Sequence, residues 1–275
     1  MTTKNPEKRV LSIGIIAIGN ELLDGVVLDT NSNWMELRLV ARGVKIKRLV
    51  SVRDEIEEIG KALEFTREAC DVIITTGGLG PTHDDKTLAA IAQALGRKIV
   101  ENQNAAMIVK RQYETLYEKG IVAAPDFTEV RRKMALFPEG AIALDNRVGG
   151  APGVMIQEGD TTIFCLPGVP MELKFIFEDT VIPWIEENTA QKFYEQIVEF
   201  QMRDESVLAP AIDSVMNKIP NVYIKSMPKP YGTSKRIRIW ISARGDDDSE
   251  LKKLVQKAIS GLEKATGIRS SPAKK

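Results

Sequence analysis

The chain opens its pattern with Val10 to Ile18, an apolar run stopped by Gly19 that reads as a strand buried on both faces. Trp34, Leu37 and Ala41 recur at helical spacing, and Gly43 closes that helix. Lys45 to Val52 alternates as a strand does, and Ile56, Ile59 and Leu63 mark a second amphipathic helix. The short run Val72 to Ile74 predicts a third strand, and a helix is expected from about Lys86 to Leu95. Strand and helix therefore alternate three times, the rhythm of a parallel sheet covered on both faces.

The middle is less regular. The spacing predicts helices over Asn102 to Lys119 and Phe127 to Phe137, then turn-rich chain from Gly140 to Gly153. Strands are expected at Val154 to Ile156 and Thr162 to Leu166, with a helix from near Met171 toward Pro183 and Trp184. The chain turns polar at Glu187 to Gln191, and a different order begins there. Strands at Phe193 to Met202, Val222 to Ser226 and Lys235 to Ala243 combine with helices carrying Val207 to Ile219 and Leu251 to Leu262. The tail Ser270 to Lys275 is expected to fray. The pattern predicts an α/β chain: a three-layer, doubly wound, mostly parallel sheet over residues 1–187, then a small α+β domain over 188–275.

Composition narrows the chemistry. Two cysteines and one histidine exclude a disulfide scaffold and a His/Cys zinc centre. The 38 basic residues balance 38 acidic ones, so a surface built throughout for nucleic acid is not expected. No apolar run is long enough to span a bilayer, and Met1 to Arg9 lacks the pattern of a signal peptide. The expected location is the cytoplasm, with Cys70 and Cys165 as reduced thiols and no membrane partner.

Candidate chemistry gathers where strands end. Thr75-Thr76-Gly77-Gly78-Leu79-Gly80-Pro81-Thr82-His83-Asp84-Asp85 leaves a buried strand and enters a helix. Glycines let a backbone approach a ligand, and a helix start can receive an anion. The stretch is no Walker A loop, because no Gly-Lys-Ser/Thr follows, and His83 stands where a dinucleotide fingerprint has its third glycine. The plainer alternative is a tight turn capped by Asp84 or Asp85. The loop after the first strand carries Glu21, Asp24, Asp29 and Asn31, and should open on the same sheet edge. Converging carboxylates repel, which favours a divalent cation with oxygen ligands. A third loop, Leu166 to Glu172, and the glycine-rich Asn146 to Gly153 complete a candidate cleft. Arg147 is a candidate phosphate contact, with a plain surface role as the alternative. His83 is a candidate base, with capping or phosphate contact as equal alternatives, because no Ser or Cys motif accompanies it. Cys165 reads as a buried structural thiol, and the basic strand from Lys235 as a solvated sheet face rather than an RNA surface.

Ile18 to Gly25, Asp29-Thr30-Asn31, Thr76 to Thr87, Ala151-Pro152-Gly153 and Leu166 to Glu172 together resemble the CinA family. The wider likeness is to the molybdopterin-binding fold of molybdenum-cofactor biosynthesis proteins. Arg147 and Gly150 depart from that family's Asn-Pro-Val-Gly-Thr-Ala-Pro-Gly, and Arg131-Arg132-Lys133-Met134 replaces its Gln- and Ala-rich approach. The amidase domain of full-length bacterial relatives does not follow before Lys275, so that activity is not expected.

The resemblance implies a metal-dependent pyrophosphatase acting on ADP-ribose-like nucleotides, or alternatively a molybdopterin-binding protein without hydrolase activity. It implies Asp84, Asp85 and Glu21 as catalytic residues, with Asp84, Glu21 and Asp29 holding Mg²⁺, Mn²⁺ or Co²⁺. Gly77, Gly78, Gly80, Thr82, His83, Asn31, Gly168 and Pro170 are the expected substrate contacts. Expected partners are a nucleotide or a pterin and further copies of the chain.

Overall fold

A computed structural model describes residues 10–189, 192–202, 204–227 and 236–273. By contact the chain divides into two compact units, one holding residues 45–189 with the chain before Ala41, the other residues 41–44 and the chain after Thr189.

The first unit begins with β1 (Ser12–Ile18), α1 (Asn20–Leu23), α2 (Thr30–Val40), β2 (Lys45–Val52), α3 (Ile56–Arg67), β3 (Val72–Thr76) and α4 (Thr87–Ala94). It continues through β4 (Ile99–Glu101), α5 (Gln103–Glu118), α6 (Glu129–Arg132), β5 (Leu136–Pro138), β6 (Ile142–Leu144), β7 (Gly153–Glu158), β8 (Thr161–Leu166), α7 (Pro170–Ile176) and α8 (Ile182–Asn188). The central sheet runs β2-β1-β3-β8-β7-β6, parallel through β8 and antiparallel beyond it. Strands β1, β3 and β8 are interior, so both faces of each need apolar side chains, and that need produces their unbroken hydrophobic runs. Ile16, Ile18, Ile73 and Ile163 face one layer built from α3, α4 and α5, in which Ile59, Leu63, Ile91 and Val109 are fully buried or nearly so. Ile15, Ile74 and Phe164 share the other face. There Phe164 meets Trp184 of α8 edge-on at 5.4 Å, and Trp34 of α2 meets Phe177 at 5.3 Å. Each such side chain contributes about 1.5–3 kcal/mol on leaving water.

The stretch 127–137 departs from its predicted helix. Only Glu129–Arg132 is α-helical, Lys133–Ala135 tightens into a 3₁₀ turn, and Phe137 enters β5, paired antiparallel to β4. Phe137 is 1% exposed within the core, and Pro138 has no amide to continue a helix, so tertiary burial overrides the local spacing.

The second unit contains β9 (Lys192–Phe200), α9 (Ala209–Lys218), β10 (Val222–Met227), β11 (Ile237–Gly245), α10 (Asp248–Thr266) and β12 (Ser270–Pro272). Its antiparallel sheet has the order β10-β11-β9-β12, with α9 and α10 packed over Val198, Phe200, Ile239 and Ile241. The tail does not fray at Ser270: the Glu263 carboxylate accepts both the amide and the hydroxyl of Ser270 at 2.8 Å, which aligns β12 against β9. Lys235, the first residue of the predicted basic strand, lies outside the described residues. Among the described residues, no helix is long and apolar enough to cross a membrane.

Candidate functional site

Parallel strands all present their carboxyl ends on one edge, and ligands bind at that edge in open α/β sheets. The loops after β1, β2, β3 and β8 meet there around a cavity of about 450 Å³. Glu21, Asp29 and Asn31 line it from the first loop, and Gly77, Gly78, Gly80, Asp84 and Asp85 from the third. Gly168 and Pro170 line it from the loop after β8. Glu172 and Gly150 face it from the two further loops of the expected cleft, and Asp54 and Tyr113, which sequence reasoning missed, face it as well. Asp54 was legible in principle, since it sits two residues past the end of β2 on that same edge.

The glycines at the end of β3 serve the chain's own packing. Gly77 has φ +104°, and a Cβ there would stand 2.1 Å from the Ile18 carbonyl oxygen. Its amide donates to the Leu166 carbonyl at 3.0 Å, so it is not the phosphate donor that sequence suggested. Gly78 has φ +68°, and a Cβ would meet Thr87 Oγ1 at 2.2 Å. That hydroxyl donates to the Gly77 carbonyl at 2.8 Å and stitches the loop to the start of α4. Gly78 and Gly80 remain as candidate amide donors to a ligand.

Several predicted contacts act within the loops. Asp85 accepts the Thr82 amide at 2.7 Å and shares the Thr82 hydroxyl, 2.6 Å away, with Asp84, closing the turn that precedes α4. Thr82 and His83 do not line the cavity: Thr82 is spent on that turn, and the His83 side chain is 97% exposed. Asp29 accepts the Ser32 amide at 2.9 Å and so caps α2 with one oxygen. Asp24 turns away to pair with Arg53 at 2.6 Å. Arg147 pairs with Asp145 at 2.9 Å and is absent from the cavity wall. Asn31 donates to the Gly168 carbonyl at 2.8 Å, joining the start of α2 to the loop after β8.

Two groups of acids differ in their electrostatics. Burial raises the Asp54 carboxyl above its ordinary value; the Asn20 amide opposes the shift, and Glu21, Asp84 and Asp85 reinforce it by repulsion. Asp84 is held below its usual value, chiefly by the Thr82 hydroxyl. Glu172 stands apart, raised by burial alone and held by the Asn146 side-chain amide at 2.7 Å. Asn146 is fully buried and organises its loop, donating also to the Ala151 carbonyl and accepting the Val148 and Gly149 amides. Among the described residues, no three His, Cys, Asp or Glu side chains are gathered closely enough to hold a metal ion by themselves. Cys165 is no nucleophile, since burial pushes its thiol up to about 12.

Comparison with known proteins agrees with this architecture. Residues 14–187 match the family model described as "Probable molybdopterin binding domain". A Pyrococcus furiosus protein is 41% identical over 243 residues, covering 88% of this chain and 93% of its own length. A Thermococcus kodakarensis protein is 39% identical over 243 residues, covering 88% and 94% respectively. The crystal structure of Thermoplasma acidophilum CinA, a protein of unknown function, superposes with a TM-score of 0.58 at 31% identity, covering 64% of this chain and 98% of that one. With the sheet order, the strand-end loops and the matched residues in agreement, the chain belongs to the molybdopterin-binding-domain family, on its CinA-like side.

Proposed function

We propose that this cavity binds a small molecule carrying a diphosphate and, with a divalent cation, hydrolyses ADP-ribose-like nucleotides. The observation that carries the reading is the meeting of Glu21, Asp54, Asp84 and Asp85 beside Gly78 and Gly80 in one cavity. A divalent cation fits this donor set. Its carboxylates repel one another, and Mg²⁺ commonly uses one or two carboxylates together with the substrate's own phosphates, so a complete protein cage is not required. When bound, such an ion polarises phosphoryl oxygens and lowers the pKa of water.

The chain's own residues supply the rest. The Gly78 and Gly80 amides bind the diphosphate oxygens. Glu21, Asp84 and Asp85 orient the cation face of the site, and Asp54, fixed by the Asn20 amide at 2.9 Å, supports them.

Incubation with ADP-ribose and Mg²⁺, Mn²⁺ or Co²⁺ tests this reading. AMP and ribose 5-phosphate are the expected products, and their absence with every ion ends the hydrolase reading. D84N is expected to lower turnover about 100-fold or more, the usual scale for removing a transition-state electrostatic contact. The family assignment favours a second reading, pterin binding without hydrolysis. Under that reading a molybdopterin-type ligand copurifies and is seen by its fluorescence.

A further inference from the structure

Three basic residues stand in a row at Arg131-Arg132-Lys133, and the fold uses each differently. Arg132 pairs with Glu101 and Glu129, as a surface arginine commonly does. The Lys133 ammonium donates to the Thr82 carbonyl, and its charge adds to the Thr82 hydroxyl in holding the Asp84 carboxyl down. Arg131, half-buried, meets no carboxylate among the described residues. Its guanidinium lies 3.8 Å from the centre of the Tyr113 ring, and Tyr113 lines the cavity. Gly150 gives that ring its room, since a Cβ there would stand 3.1 Å from it.

Both Nη1 hydrogens of Arg131 are spent, on the Ala124 carbonyl at 2.8 Å and the Asp126 carbonyl at 2.7 Å. Those bonds and the stacked ring fix the guanidinium plane. Its Nε–Nη2 edge is left without a partner among the described residues. Stacking keeps such an edge free to donate in plane, and its two parallel N–H groups match two oxygens of a phosphate. A cation fixed in this way and answered only by neutral carbonyls is ready for an anion. No shift of Asp54, Asp84 or Glu172 comes from Arg131, so the guanidinium stands away from those acids.

We infer that Arg131 is a phosphate contact on the Tyr113 side of the cavity, receiving a phosphate monoester of the ligand on its Nε–Nη2 edge. The contact rests on the diphosphate reading for the rest of the ligand and adds a second, separate anionic group. The role that the sequence suggested for Arg147 passes to Arg131, because Asp145 already neutralises Arg147.

Arginine side-chain NMR on the full chain tests this, with the Arg131 Nε–Hε signal assigned by its loss in R131K. The first probe is inorganic phosphate without a divalent cation, where the floor carboxylates repel an anion from Gly78 and Gly80. Saturable movement of the Arg131 signal is expected. R131Q, followed at the Gly150 amide, should bind phosphate at least tenfold more weakly. Unchanged affinity in R131Q, or in R131K, which keeps the charge without the fork, overturns the contact. The second probe is pyrophosphate with Mg²⁺, read at the Gly78 and Gly80 amides. If those amides move while the Arg131 signal ignores phosphate, the contact is wrong and the diphosphate reading stands. If Arg131 responds and the glycine amides stay still, the contact stands and the diphosphate reading fails. Movement that never saturates, or that chloride at equal ionic strength reproduces, marks an adventitious ion only and overturns the contact.

Discussion

Replacing Gly77 with alanine puts a carbon atom 2.1 Å from the Ile18 carbonyl oxygen, at a backbone φ of +104° that L side chains rarely adopt. Two costs then add. The backbone conformation alone costs roughly 1–3 kcal/mol in a non-glycine residue. Forcing a methyl group into a filled site adds typically about 1–3 kcal/mol, and the obstructing atom here is backbone that cannot rotate away. The expected total is about 4 kcal/mol, a large part of the roughly 5–15 kcal/mol that stabilises ordinary domains. Gly96→Ala isolates the first cost, because Gly96 has φ +63° and nothing stands within 4 Å of where its Cβ would lie. That control is expected to lose about 1–2 kcal/mol. Urea unfolding of the parent and both variants provides the measurement. Equal losses for Gly77→Ala and Gly96→Ala would refute the packing argument. The same result, combined with lost ligand binding, would restore Gly77 to a direct ligand role.

Two further substitutions probe the loop opposite. Asn146→Ala strands the buried Gly149 amide and Ala151 carbonyl, at about 1–3 kcal/mol for each group left unpaired, while the amide of the exposed Val148 can turn to water. A urea midpoint unchanged from the parent would refute that role. Glu172 gives a pH test. Burial raises its folded-state pKa above the ordinary 4.5, so the folded chain keeps a proton that the unfolded chain has released. Its contribution to stability is therefore full below pH 4.5 and is lost as pH rises through the raised value. Glu172→Gln should remove that loss, gaining on the parent from acid toward neutral pH, and parallel stability profiles for the two proteins would refute the assignment.

Some of this protein was fixed by its sequence because the physics involved is local or periodic. An interior parallel strand must be apolar on both faces, and Val10 to Ile18 and Val72 to Ile74 show that directly. The order of strands and helices placed the loops carrying Glu21 and Asp84 at strand ends, which is why both could be named from sequence. What each loop residue does was decided by tertiary structure. Gly77 looks like a ligand glycine until the Ile18 carbonyl is seen against it, and Thr82 looks like a contact until Asp85 takes its amide and shares its hydroxyl with Asp84. Phe137 left a helical pattern because the core had room for its ring, and Ser270 joined a sheet because Glu263 was positioned to receive it. Asp54 and Glu172 acquire their shifted carboxyls only from burial among groups distant in sequence. Periodicity reports which face of an element is apolar. Hydrogen-bond partners, steric room and desolvation depend on what the rest of the chain brings alongside, and those decide which polar residues at a strand end are left for a ligand.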